Sequence, residues 1–207
     1  LVHRGEHEPA DLPDVQHLHV NRRQLGSRAA ELRRFGPDGV IDMCAMTGSD
    51  AAAALAAIPD VRLVVASSID VYRAFASLWE GVVTDAVPLT EDSPLRVGPP
   101  PDRSCRMEGY AYEPEAYEKL DVEAAYRARG GTICRLPMVY GPHDFKRREE
   151  LVLRRVRAGR RRIPVGAGGF LWSRGFAPEL ARGVRLALET PEAAGEVFNL
   201  CEAQCAS

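Results

Sequence analysis

The run Val64-Val65-Ala66-Ser67-Ser68 carries two adjacent hydroxyls at the end of an apolar stretch. Taken alone, such serines satisfy backbone groups at a strand end. Lys119 is one of only two lysines, beside Lys146, in a chain whose other basic residues are arginines. Glu115 and Glu123 stand four residues to either side of it, so the plain reading is a solvated salt-bridge row on a helix face. Burial would raise the Glu115 carboxyl and make it a general acid or base. Tyr117 reads as a packing residue with a polar tip. Arg174 offers a planar fork that suits phosphate oxygens, or a cation–π partner for nearby Trp172. The basic run from Lys146 through Arg162 could bind phosphate or RNA, but Glu149 and Glu150 interrupt it and favour a solvated face. His17 and His19 alternate along a strand, while His3 and His7 read as loop residues. Neither pair brings a Cys or carboxylate ligand set, so no metal is expected.

Two kinds of segment alternate around these residues. Residues 15–20, 39–43, 61–66, 132–136 and 197–200 are β-branched runs and read as strands. Residues 28–35, 51–57, 114–129, 149–158 and 178–189 have helical spacing, with Pro114 suited to a first helical position. Continuous apolar strands between helices predict a parallel sheet buried on both faces, with ligand sites beyond the strands' carboxyl ends. Arg4, by residue type alone, reads equally well as an ordinary exposed arginine. Residues 81–107, rich in Pro, Gly and charge, read as a long loop of the kind that forms lids or specificity elements.

The 207 residues are 45% apolar and 27% charged, with 27 basic and 29 acidic side chains and a net charge of −2. These proportions exclude a disordered chain or a coiled coil. Near-neutral charge argues against nucleic acid or membrane held by bulk electrostatics. No stretch reaches the ~18 to 20 apolar residues of a membrane span. Five scattered cysteines without a C-x-x-C suit a reducing cytoplasm.

Four stretches, in order, resemble the extended short-chain dehydrogenase/reductase superfamily in its NAD-dependent epimerase/dehydratase branch. Residues 64–72, VVASSIDVY, resemble its serine-bearing strand, and residues 119–123, KLDVE, the helix with its active-site lysine. Residues 135–142, RLPMVYGP, resemble the strand and turn against nicotinamide. Residues 174–181 and 195–200 resemble the later substrate-side segment and last strand. The resemblance implies an α/β Rossmann-like doubly wound parallel sheet, with a partial NAD(P)-binding domain over 1–145. A partial substrate-binding region over 146–207 would be interleaved with the last strand.

By the same resemblance Ser68 would polarise a substrate oxygen, Lys119 would hold the nicotinamide ribose, and Arg174 would hold a substrate diphosphate. Arg4, Ser67, Pro137 and Met138 would face the cofactor, NAD or NADP, with Arg4 tilting the choice to NADP. A homodimer is compatible with the family.

Two departures stand out. The glycine-rich G-x-x-G-x-x-G turn that holds the pyrophosphate does not occur in these residues. The chain reads as starting in the second strand, which predicts an incomplete sheet lacking its central first strand. The family's Y-x-x-x-K pair is also altered, because Glu115 occupies the tyrosine position. On a continuous helix Tyr117 would lie roughly 200° round from Lys119, and Tyr112 would reach its face only through Pro114. The proton donor is therefore left among Tyr117, Glu115 and water. The function implied is an NAD(P)-dependent oxidoreductase, epimerase or dehydratase acting on a sugar-like or nucleotide-linked substrate. The alternatives are a non-catalytic nucleotide- or RNA-binding relative and an inactive truncated product.

Overall fold

A computed structural model describes residues 1–6, 14–100, 116–144, 146–164 and 173–203. The longest apolar run folds as strand β4 (Arg62–Ser68), flanked by β3 (Gly39–Asp42) and β5 (Thr132–Leu136), with β8 (Val197–Asn199) beyond β5. These four strands form one parallel sheet in the order β3-β4-β5-β8. Alternation along β4 feeds two cores. Leu63 and Val65 pack with Ile133 against Ala51 of α2 (Gly48–Ala57) and Val122 and Tyr126 of α4 (Lys119–Arg127). Val64 and Cys134 face the other way, onto Val184 and Ala187 of α6 (Ala177–Glu189). Helices on both faces make the fold α/β, as the apolar runs predicted, and Rossmann-like, as the resemblance implied.

Local signals set the element ends. Thr47 and Asp50 form a reciprocal capping box at the start of α2. The helix α1 (Ala29–Phe35) stops at Gly36, whose φ of 64° is left-handed. Leu25, in the 3-10 segment Arg22–Arg28, packs with Ala54 and Ala57 and ties that segment to α2.

The strand pair β1 (Val2–His3) and β2 (Leu18–His19) is parallel but shares no ladder hydrogen bond with β3, so the sheet is divided. The division separates the β1–β2 pair from the main sheet, and the resemblance places a first strand between the two. The ion pair from Arg22, just beyond β2, to Asp42 at the end of β3 crosses it. A second parallel pair, β6 (Met138–Tyr140) with β7 (Arg174–Phe176), was not foreseen. Neither was α3 (Arg73–Leu78). The basic segment forms α5 (Glu150–Arg157), none of whose residues is buried, and it exposes Leu151, Val152, Leu153 and Val156 alongside its arginines, unlike a purely charged solvated face. No described helix is long and apolar enough to cross a membrane.

The expected helix from Pro114 is corrected at its start. Glu118 caps it, its carboxylate accepting from the Leu120 N–H, so α4 begins at Lys119. Tyr117 therefore precedes the helix, and the helical-wheel separation of Tyr117 from Lys119 does not apply.

Candidate active site

The carboxyl ends of β3, β4 and β5 carry the chemistry-bearing residues. Because α4 starts at Lys119, its side chain points down into the sheet end rather than out to solvent. Lys119 is only 4% exposed, and Nζ donates to the carbonyls of Ala45, at 2.5 Å, and Ala66, at 3.1 Å. The expected surface salt bridge is thus replaced by a buried ammonium bridging the ends of β3 and β4. An ammonium has three donors, and two are used here. Burial lowers the Lys119 pKa, against the opposing fields of Asp70 and Asp42.

Successive side chains of β4 face opposite ways. Ser67 turns toward α4 and donates to Glu123 at 2.6 Å. Glu123 in turn holds Arg135 through two bonds of 3.0 and 2.8 Å, and both residues are buried. Arg135 also donates to the Tyr72 hydroxyl at 2.8 Å, which donates to Asn199 at 2.7 Å. This chain of charge-assisted bonds fixes the floor below the site. Ser68 is half-buried and opens the 3-10 turn Ile69–Val71, its Oγ accepting from the Asp70 N–H at 3.3 Å.

The residue the sequence reading missed is Asp70. Its Oδ2 accepts the Tyr117 hydroxyl at 2.6 Å, and its Oδ1 is buried with no hydrogen-bond partner among the described residues. Burial pushes the Asp70 carboxyl above its ordinary range, and the Tyr117 bond and the charges of Arg96 and Lys119 offset only part of that. Arg96 closes the underside, donating to the Asp70 carbonyl at 3.1 Å and pairing with Glu118. Arg96 thereby holds both Asp70 and the residue that caps α4. At the end of β3, burial disfavours the Asp42 charge, yet the Arg22 guanidinium and Tyr126 hydroxyl outweigh it and keep the carboxyl below its ordinary range.

Among the sequence candidates, Ser67, Ser68, Tyr117 and Lys119 thus gather around one strand end. Pro137 is buried directly after β5, whose Leu136 is the register partner of Ser68, and Met138 follows it. Met138 is the register partner of Arg174, so those two lie side by side across β6 and β7. Arg174 sits over the Tyr140 ring at 5.7 Å; Trp172 lies outside the described residues, as do Glu115, Tyr112 and His7. Arg4 is exposed at the end of β1 and pairs with Glu6 at 3.0 Å. A separate cleft of about 430 Å³ opens between β7, α6 and β8, lined by Phe176, Leu180, Asn199 and Glu202 among others. It lies on the β8 side of the sheet, and neither Ser68 nor Lys119 lines it.

The profile of the NAD dependent epimerase/dehydratase family matches residues 6–201. An uncharacterized protein, y4nL, of Sinorhizobium fredii is 33% identical over 130 residues, covering 58% of this chain and 36% of that protein. The fold is similar to a putative epimerase from Burkholderia cenocepacia, with a TM-score of 0.68 at 20% identity over 98% of this chain and 66% of that one. It is also similar to dTDP-glucose 4,6-dehydratase from Bacillus anthracis in complex with NAD, with a TM-score of 0.66 at 15% identity. That match covers 96% of this chain and 62% of the dehydratase. The chain therefore spans about two thirds of those two structures and about a third of the curated relative.

Proposed function

From the premise that this chain belongs to the NAD dependent epimerase/dehydratase family, we propose that it binds a nicotinamide dinucleotide and acts on a sugar-like or nucleotide-linked substrate at the end of β4. The observation that carries this reading is the meeting of the buried Lys119 ammonium and the Tyr117–Asp70 pair beside Ser68. The residues suit the nicotinamide end of such a cofactor. Lys119 keeps one donor for a ribose hydroxyl, and Pro137 and Met138 offer apolar surface to a ring. Arg4 is the cation available to a 2′-phosphate, which favours NADP over NAD. When bound, the nicotinamide supplies the hydride donor or acceptor.

The chain's own residues bind, orient and move protons. The Ser68 hydroxyl donates to a substrate carbonyl or alcohol oxygen, and Arg174 takes the anionic end of a nucleotide-linked substrate. The proton is exchanged through Tyr117, whose hydroxyl is already hydrogen-bonded to Asp70. A carboxyl whose pKa burial raises and which has one unpartnered oxygen is suited to accept or return it. Ser67 acts indirectly, fixing β4 to α4 through Glu123. Residues 1–145 form the cofactor half, and residues 146–207 the substrate side, with β8 returning to the sheet.

The test is titration of NADPH and NADH fluorescence against the purified chain. A saturable rise is expected with the parent, weakened by about tenfold or more in Lys119→Met and left unchanged in Arg161→Ala. Absence of saturation up to millimolar cofactor overturns the reading. The rival, a non-catalytic RNA-binding relative, draws on the exposed arginines of α5. It is favoured if RNA is retained at moderate salt and released on neutralising Arg160, Arg161 and Arg162.

A further inference from the structure

The register of β1 and β2 sets His3 directly beside His19, and His17 stands one side-chain repeat earlier on the same strand face. Three imidazoles therefore share one face, while Leu18 between two of them turns the other way and is buried. The ring centroids of His3 lie 4.9 Å from His17 and 4.6 Å from His19, and those of His17 and His19 are 6.0 Å apart, all edge to face. One ligand nitrogen from each ring falls within 4.8 Å of the others. His3 Nε2 and His17 Nδ1 are 2.7 Å apart and share a proton. Gly5 lies against the group with a φ of +79°, and a Cβ there would come 3.1 Å from His19 Cγ. Only glycine combines that backbone turn with room for the ring.

We propose that His3, His17 and His19 bind one divalent first-row transition ion of the zinc class. Neutral imidazole suits zinc, copper and nickel. A tetrahedral zinc with bonds of about 2.0–2.1 Å needs its ligand nitrogens about 3.3 Å apart. The 2.7 Å contact of His3 with His17 and the 4.8 Å outer limit bracket that spacing, so small ring rotations reach it. The Gly5 N–H donates to His3 Nδ1 at 3.2 Å, which puts the His3 proton on Nε2, toward His17. Loading moves that proton to Nδ1, frees Nε2 for the ion, and gives up the Gly5 amide bond. Exposed His19 provides the way in and leaves the fourth position to water. The ion staples two strands of two residues each, a pairing that ladder bonds alone hold weakly. The site uses none of the residues assigned to substrate or cofactor.

The experiment is titration of the tag-free, chelator-treated full chain with Zn²⁺ by calorimetry and with Co²⁺ by visible absorption. One equivalent is expected, with ligand-field bands of a nitrogen and oxygen set and no thiolate charge-transfer band. Zn²⁺ should slow amide exchange across β1 and β2. Because the His19 side chain is exposed, His19→Gln tests the site with little effect on packing, and it should weaken binding by at least about tenfold. His3→Gln should do the same, while circular dichroism checks both folds. A variant with Cys44, Cys105, Cys201 and Cys205 changed to Ser should bind as the parent does. Parent-like affinity in both histidine variants, loss of binding in the cysteine variant, or no stoichiometric binding by the parent overturns the proposal.

Discussion

The Tyr117 hydroxyl lies 2.6 Å from Asp70 Oδ2, across 47 positions of sequence, because α4 begins two residues after the tyrosine. The pair joins the turn after β4 to the approach to α4. A carboxyl whose pKa is raised by burial thus stands next to a phenol and within the field of a buried ammonium.

Asp70 gives the first prediction. Its folded pKa lies above its unfolded value, so the folded state holds more protons between the two values, and stability falls as pH rises through that window. Asp70→Asn should flatten this part of the pH–stability curve and raise stability above it, read from urea unfolding between pH 4 and roughly pH 8. Tyr117→Phe removes a bond to the charged form, so the Asp70 carboxyl resonance should titrate at still higher pH. A carboxyl that titrates lower in Tyr117→Phe contradicts the geometry.

Arg22 and Asp42 give the second. The Asp42 side chain is 7% exposed, and Arg22 Nη1 donates to it at 2.9 Å. Arg22→Ala strands the carboxylate and should cost about 3–5 kcal/mol. Arg22→Ala with Asp42→Asn should cost less, since no buried charge remains. In the parent, the Asp42 contribution is complete above the unfolded carboxyl pKa and is lost as pH falls through its lowered folded value. With Arg22 gone, burial is left to push the Asp42 carboxyl upward, so Arg22→Ala should lose less stability on acidification than the parent does, as unfolding midpoints would show.

A third prediction concerns Glu123 and Arg135. Glu123→Gln leaves a buried guanidinium short of its partner and should destabilise by about 3–5 kcal/mol. Glu123→Leu with Arg135→Met replaces the pair by apolar groups and should recover most of that loss. A double-mutant cycle by chemical denaturation measures the coupling; near-additive losses would show the pair contributes little.

The sheet was legible in the sequence because buried parallel strands leave unbroken apolar runs. Val61 to Ala66 and Thr132 to Leu136 anticipate β4 and β5 closely. Strands β6 and β7, of three residues each, are too short to leave a period. The start of α4 was misread because Pro114 is a strong first-turn signal, whereas Glu118 caps through a side chain also engaged by Arg96. Asp70 was missed because its significance comes from Tyr117, and nothing local links them. A carboxylate directly after a serine-ended apolar run was the available signal. The three histidines likewise look like separate pairs until strand register brings His3 to His19.

The division between the β1–β2 pair and the main sheet makes a seam through the molecule. Leu25 packed on α2 and the Arg22–Asp42 ion pair hold its two sides, without a shared row of amides and carbonyls. Ile41, although it belongs to the main sheet, is 38% exposed at that seam. The β1–β2 pair, which has no ladder to the main sheet, should therefore open before β4 and β5 lose theirs.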